Sequence, residues 1–160
     1  MYRPMMDRFE EASGWHMTGE QETGAQVILL VEDEAFVRAA TCEVLESAGY
    51  RVLMAENSAQ AVTIYKQHAG AVGLLLTDMI LPGETGLALA ARLRRENSGL
   101  NILLVTGYSM QMGLGVLKPE ELLPKPFSTE ALLRRVSQLL DSEGLRTERE
   151  ESVTLACAIA

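Results

Sequence analysis

Cysteine, histidine and long apolar runs are all scarce in this sequence. The two cysteines, Cys42 and Cys157, are far apart and match no metal or redox spacing, which indicates reduced thiols. The two histidines, His16 and His68, are predicted to lie on the surface without a role. No apolar stretch approaches the roughly 18 residues of a membrane-spanning helix, and the N-terminus has no basic segment followed by an apolar one. These absences favour a cytoplasmic protein that does not engage a membrane.

Positive charge is also in short supply. There are 14 lysines and arginines against 22 acidic residues, and the formal net charge is −8. A balance of this sign disfavours a surface that binds nucleic acid phosphates. Apolar residues make up 48% and charged residues 22%, as is usual for globular proteins. A chain of 160 residues suffices for one domain with a hydrophobic core.

Regular patterning is confined to the middle of the chain. Residues 1–25 are polar and show no sustained period, which predicts a disordered or loose N-terminal arm. Residues 26–141 form the predicted domain. Residues 142–160 are a mixed-charge stretch that ends in the apolar sequence VTLACAIA, and they are too few for a DNA-binding unit of three helices.

Short apolar runs alternate with helical patterns across the predicted domain. Such runs are typical of strands buried on both faces of a parallel sheet covered by helices. Helical spacing follows four of the runs, with Gly49 ending the first helix and with Asn57 or Ser58 and later Ser128 as caps. The predicted strands are 27–31, 51–55, 73–77, 101–106 and 121–124. In such α/β folds the functional site lies beyond the carboxyl ends of the strands.

Chemically reactive side chains stand at four of these strand ends. Glu32 and Asp33 follow the first strand, Asp78 follows the third, Thr106 ends the fourth and Lys125 follows the fifth. Carboxylates at one sheet edge repel each other and need a cation, and oxygen ligands with open positions suit Mg²⁺. A carboxylate beside Mg²⁺ can attack phosphorus and form an aspartyl phosphate. A lysine and a hydroxyl would then bind the phosphoryl oxygens.

Four motifs at these strand ends resemble the response-regulator receiver domains of two-component signalling. They are VEDE (31–34), LLTDMILPGETG (75–86), VTGY (105–108) and KPF (125–127). The resemblance covers about residues 26–140. It implies a flavodoxin-like α/β fold, a doubly wound five-stranded parallel sheet with strand order 2-1-3-4-5.

The resemblance also implies a phosphoacceptor and a metal site. Asp78 would accept a phosphoryl group from a phosphohistidine of a sensor histidine kinase or a histidine phosphotransfer protein. Glu32, Asp33 and Asp78 would hold Mg²⁺ together with the backbone carbonyl of Ile80. Glu32 stands where aspartate is commoner, and its extra methylene would let it hold the metal through water. Taken alone, the pair 32–33 could instead cap the first helix and favour its dipole.

Switch residues are implied in the same way. Thr106, which alone would be interpreted as an ordinary strand residue, would bind a phosphoryl oxygen and move on activation. Lys125 would pair with the phosphate, and a cis bond would precede Pro126. Leu122 stands three residues before the lysine, where receivers usually carry a switch aromatic. Tyr108 is interpreted as a partial substitute for that aromatic.

Two further departures from the family pattern carry predictions. The segment 107–121 is shorter than in most receivers and contains glycines and a proline that disfavour a helix. It predicts a short, irregular or mobile fourth helix, as in a TGY type of receiver often attached to hybrid histidine kinases. Ile80 and Tyr108 occupy positions that orient or exclude the attacking water in receivers. Neither offers a carboxylate or amide, which predicts slow self-dephosphorylation.

The predicted function is therefore a stand-alone receiver, not an enzyme with an external substrate, that signals through a protein contact. The kinase-docking surface is expected around the first helix and Phe127, and the output surface across residues 107–140. A phosphorelay intermediate or phosphate sink is an alternative, and homodimerisation stays open. A small-molecule phosphotransferase is disfavoured because Ile80 stands where such enzymes carry a second acid. The complete residue set disfavours a degenerate receiver, and a flavodoxin-like cofactor binder would need a phosphate loop after Val31.

Overall fold

A computed structural model describes residues 26–68, 70–107 and 117–141. Strands and helices alternate along the chain, as the hydrophobic pattern predicts. The elements are β1 (Val27–Val31), α1 (Ala35–Ser47), β2 (Arg51–Ala55), α2 (Ser58–Gln67), β3 (Val72–Asp78), α3 (Gly86–Glu96), β4 (Asn101–Thr106), a 3-10 turn (Pro119–Glu121), β5 (Leu122–Pro124) and α4 (129–141).

All five strands are parallel and form one sheet in the order β2-β1-β3-β4-β5. The predicted five-stranded α/β fold and its strand order are thereby confirmed. Three strand boundaries differ from the prediction. β3 begins at Val72, one residue before the predicted start. β3 extends through Asp78, which pairs with Val105 of β4 instead of lying in a loop. The fifth strand begins at Leu122, because Glu121 belongs to the preceding 3-10 turn.

The strands are apolar on both faces because helices cover both sides of the sheet. Successive strand side chains point to opposite faces. Leu29 and Leu75 belong to the apolar cluster beneath α2 and α3, whereas Leu30 and Leu76 belong to the cluster beneath α1 and α4. Cys42 is a buried free thiol in the second cluster.

Side-chain caps define where three of the helices begin. Asn57 Oδ1 accepts a hydrogen bond from the Gln60 N–H at 2.9 Å, as predicted for α2. Ser128 Oγ does the same for the Ala131 N–H at 3.1 Å in α4. Thr85 caps α3. The loops that carry these caps follow the ends of parallel strands and therefore lie at the carboxyl edge of the sheet.

Several predictions fall on residues outside the described ranges. They are the N-terminal arm, the C-terminal tail, Tyr108 and most of the segment 107–121. The short, irregular or mobile helix that was predicted between β4 and β5 therefore stays a prediction. It is distinct from α4, which follows β5. Among the described helices, none has the length and apolar character needed to cross a membrane.

Candidate functional site

Asp78 ends the central strand of the sheet. β3 lies between β1 and β4, so the carboxyl ends of both neighbours flank Asp78. The Met79 N–H donates to the Val105 carbonyl at 2.9 Å and continues the pairing with β4. The Glu32 N–H donates to the Ala55 carbonyl at 3.1 Å and holds the end of β1 against β2. The sheet thus brings the predicted acidic residues to one edge.

The Asp78 carboxylate is held by two partners. Its Oδ1 accepts a hydrogen bond from the Ile80 N–H at 2.9 Å, and its Oδ2 forms an ion pair with Lys125 Nζ. The hydrogen bond to Asp78 raises the pKa of the Lys125 ammonium above its usual value. The Lys125 N–H donates to the Thr106 carbonyl at 2.7 Å, and the bond to Pro126 is cis, as predicted. The lysine is therefore fixed at its backbone and directed at the aspartate.

The acidic pair lies close to this ion pair. Glu32 is buried, and burial raises the pKa of its carboxyl, with the negative charge of Asp78 adding to the effect. Asp33 is exposed, and its charge contributes to the raised pKa of Lys125. Three carboxylates and one ammonium therefore share one electrostatic environment at the sheet edge.

Thr106 carries an unsatisfied polar group. The residue is 0% exposed, and within the described residues its Oγ1 has no hydrogen-bond partner. Leaving a buried hydroxyl unpaired costs about 1–3 kcal/mol. A native orphan of this kind therefore needs a reason, such as a group that binds there in another state of the protein. If this position served only the packing of the strand, valine would fit equally well, because it has the same shape and no hydroxyl to bury.

Gly86 is a site-shaping residue that the sequence motifs did not single out. Its N–H donates to the Met79 carbonyl at 2.8 Å. A Cβ at this position would lie 2.0 Å from the Asp78 carbonyl oxygen and 3.1 Å from a Leu104 methyl. Only glycine therefore lets α3 start so close to the end of β3. A glycine directly after the capping residue Thr85 was the available signal.

The three residues predicted to modulate the site, Ile80, Leu122 and Tyr108, differ in their placement. Ile80 follows the aspartate closely and is 64% exposed, so an apolar side chain stands at the rim. Leu122 pairs with Leu104 across β4 and β5 and is half-buried against the cluster beneath α2 and α3. Tyr108 lies outside the described residues.

The donor set fits a hard, hydrated cation. In the described parts of the chain, no group of three or more His, Cys, Asp or Glu side chains is arranged to hold a metal ion. Mg²⁺ does not need such a cage, because it keeps several waters and is usually held by one or two carboxylates. A buried Glu32 with a raised pKa beside Asp33 and Asp78 is an environment that a cation would relieve.

Comparison with known proteins agrees with this geometry. The family model described as the response regulator receiver domain matches residues 28–137. Sensor kinase CckA of Brucella abortus is 31% identical over 124 residues, which cover 76% of this chain and 13% of that protein. The phosphate regulon transcriptional regulatory protein PhoB of Pseudomonas aeruginosa is 34% identical over 125 residues, covering 74% of this chain and 53% of that protein.

A solved structure extends the likeness to three dimensions. The response regulator protein TrrA of Thermotoga maritima, in complex with Mg²⁺-BeF, superposes with a TM-score of 0.63 at 32% identity. The match covers 72% of this chain and 99% of that one. The chain spans 13% and 53% of the two curated relatives, so it corresponds to one part of each. By sequence and by fold, this chain belongs to the response regulator receiver domain family.

Proposed function

We propose that this receiver accepts a phosphoryl group on Asp78 from a phosphohistidine of a sensor kinase or a histidine phosphotransfer protein. One observation carries the proposal. Asp78 ends the central strand and pairs with Lys125, its charge acts on Glu32, and both members of the acidic pair act on Lys125. The aspartate thus has a cationic partner on one side and further carboxylates on the other, as an Mg²⁺-dependent phosphoacceptor requires.

In the proposed transfer each of these protein groups has a part. An Asp78 oxygen attacks phosphorus, and the new O–P bond forms as the N–P bond to the donor histidine breaks. The electron pair of that bond returns to the imidazole nitrogen. Lys125 is already directed at the acceptor and can pair with a phosphoryl oxygen. The orphan Thr106 hydroxyl would gain in that oxygen the partner it lacks.

Receiver domains bind Mg²⁺ in general, and this chain has suitable residues for it. Glu32, Asp33 and Asp78 would hold the cation together with the Ile80 carbonyl, as the family resemblance implies. When bound, Mg²⁺ supplies positive charge that offsets the carboxylates and the incoming phosphoryl oxygens. Glu32 Oε1 already accepts a hydrogen bond from the Glu34 N–H at 3.0 Å, which ties this carboxylate to the turn between β1 and α1.

We further propose that the domain holds its phosphate and does not turn over an external substrate. Ile80, beside the acceptor and 64% exposed, offers neither an acid for a leaving group nor an amide for an attacking water. This supports slow self-dephosphorylation in a cytoplasmic signalling protein. The TGY hybrid-kinase subtype and the stand-alone organisation stay predictions, because the matches span 13% of a sensor kinase and 53% of a regulator.

A docking surface for the phosphodonor is proposed beside the site, on α1 and α4. Phe36 begins this surface on α1 and is 83% exposed. Phe127, the aromatic that the sequence favoured, is instead half-buried against the cluster beneath α1 and α4. A groove of about 320 Å³ lies between the second half of α1 and the start of α4. Its lining residues are Glu43, Val44, Ser47, Ala48, Thr129 and Leu133. The kinase identity of the relative CckA supports a kinase partner.

Phosphorylation with acetyl phosphate and Mg²⁺, followed by intact mass, tests the acceptor. We expect one phosphate adduct on the wild type and none on Asp78→Asn. Asp141→Asn is the matched control, because it removes an aspartate from the end of α4 and should leave the adduct unchanged. An adduct on Asp78→Asn, or none on the wild type, would defeat the proposal. Transfer from the phosphorylated receiver back to a histidine protein would favour the relay or sink alternative.

A further inference from the structure

Arg38 reaches back from the first turn of α1 to the loop that carries the acidic pair. Its Nη1 donates a hydrogen bond to the Glu32 carbonyl at 2.6 Å and a longer one to the Asp33 carbonyl at 3.4 Å. The side chain is half-buried. Within the described ranges, Arg38 is the only cationic residue whose side chain hydrogen-bonds to this loop.

The two carbonyl groups lie on either side of the Asp33 Cα. The Glu32 carbonyl belongs to the peptide plane before that atom, and the Asp33 carbonyl belongs to the plane after it. Peptide planes are rigid, and each residue has only two soft backbone dihedrals. Holding both planes with one guanidinium therefore restrains both dihedrals of Asp33. Because the Asp33 side chain is exposed, its direction depends chiefly on this backbone.

The other described contacts of the loop hold its N–H groups and not the two carbonyls that Arg38 binds. The Glu32 N–H is held by β2 through the Ala55 carbonyl, and the Glu34 N–H is held by the Glu32 carboxylate. Glu34 is the N-cap residue of α1, yet its side chain makes no capping hydrogen bond. The turn from β1 into α1 is thus fixed by strand pairing, by Glu32 and by Arg38.

We propose that Arg38 is a positioning residue for the Mg²⁺ ligands. It restrains the peptide groups around Asp33 so that the two neighbouring carboxylates face the same cation. Its charge also offsets part of the repulsion among the carboxylates at the sheet edge. This inference rests on the proposed Mg²⁺ site. Replacing a residue that orients metal ligands without binding the metal typically weakens metal affinity by about 10- to 100-fold.

Isothermal titration of the metal-free protein with Mg²⁺ tests the proposal. Arg38→Met keeps an apolar stem but removes the charge and the donors. Arg92→Met is the matched control, since Arg92 pairs with Glu84 in the loop after β3 at the same sheet edge. We expect Mg²⁺ to bind Arg38→Met at least about tenfold more weakly, with Arg92→Met near the wild type. Arg38→Lys should lie between, because an ammonium keeps the charge but not the planar fork of donors.

The alternatives give different results. Unchanged Mg²⁺ affinity in Arg38→Met would overturn the proposal, even if its unfolding midpoint in urea and EDTA were lower. An equal loss in Arg92→Met would also overturn it, because net charge alone would then account for the effect. If Arg38→Met does not fold, Arg38→Gln and Arg38→Lys carry the same comparison. A wild type that binds no Mg²⁺ would instead overturn the proposed function, and this inference with it.

Discussion

Lys125 and Asp78 are 47 residues apart in the chain, yet their side chains form an ion pair at the sheet edge. The lysine follows the edge strand β5 and the aspartate ends the central strand β3, so the pair reaches across the end of β4. Thr106 lies at that end, and its carbonyl accepts the Lys125 N–H. A change at Asp78 therefore acts on Lys125 directly and on Thr106 through the hydrogen bond from the Lys125 N–H.

Thr106→Val separates a switch residue from an ordinary strand residue. Valine keeps the shape of threonine and removes a buried hydroxyl that has no partner, so the unphosphorylated domain should gain about 1 kcal/mol in its free energy of unfolding. The phosphorylated domain should lose the contact that the hydroxyl makes there. Urea unfolding with and without acetyl phosphate measures both. A destabilised Thr106→Val domain without phosphate would show that the hydroxyl already has a partner.

The substitution Glu32→Gln is expected to change the free energy of unfolding by an amount that depends on pH and on Mg²⁺. Burial raises the pKa of the Glu32 carboxyl above its usual 4.5, so the unfolded chain releases this proton at lower pH than the folded domain. Ionisation of Glu32 therefore disfavours the folded state as the pH rises above 4.5. Glutamine, which keeps the acceptor for Glu34, should stabilise the metal-free domain at neutral pH and lose this advantage below 4.5.

Urea unfolding in EDTA at acid and neutral pH measures this effect. Mg²⁺ at 100 times its dissociation constant should add about 2.7 kcal/mol to the wild type and less to Glu32→Gln. A neutral-pH destabilisation by Glu32→Gln in EDTA would contradict the expected sign.

The fold was predictable because the central strands β1, β3 and β4 are short apolar runs that are buried along nearly their whole length, and helical spacing follows them. The residues at the strand ends follow from that pattern, so Asp78 and Thr106 could be placed from local sequence. The extension of β3 through Asp78 could not, because its pairing with Val105 is a contact between strands distant in sequence. The same holds for Arg38, whose targets are backbone carbonyls that carry no residue signature.

Burial of single side chains was harder to predict. Glu121 was assigned to a strand, but it is buried in a 3-10 turn, where it pairs with Arg94 of α3. A partner 27 residues away leaves no mark on the local periodicity. Similarly, Phe36 is 83% exposed whereas Phe127 is half-buried against the cluster beneath α1 and α4, a difference that depends on contacts with residues distant in sequence.

Ile80 is predicted to lengthen the lifetime of the phosphorylated state. It stands next to Asp78, and its exposed apolar side chain cannot orient a water for attack on phosphorus. Ile80→Asn supplies an amide and should speed dephosphorylation by about tenfold or more. Ile80→Ala is the control, because it removes bulk without adding a polar group and should have a smaller effect. Intact mass after removal of acetyl phosphate follows the decay. Loss of the wild-type adduct within seconds in Mg²⁺ buffer would contradict the prediction.

Phe36→Ala should impair transfer from a protein phosphodonor but not from acetyl phosphate. Aromatic side chains that are exposed in the free protein and buried at a docking surface carry much of the binding energy, so the loss should be roughly 1–2 kcal/mol, or about tenfold in transfer rate. Met54→Ala is the matched control, since Met54 is also an exposed apolar residue (46%) but lies on the edge strand β2. The donor is the histidine kinase or phosphotransfer protein of the same organism that transfers fastest to the wild type.

Two readouts separate docking from chemistry at Asp78. Phosphorylation by acetyl phosphate requires only the site itself, so Phe36→Ala and the wild type should react equally. If Phe36→Ala slowed both reactions, the substitution would act through the neighbouring acidic loop and not through docking. If Met54→Ala slowed transfer from the protein donor as much as Phe36→Ala, the donor would instead dock across β2. A selective loss in Phe36→Ala alone places the donor over α1, next to the aspartate that it must reach.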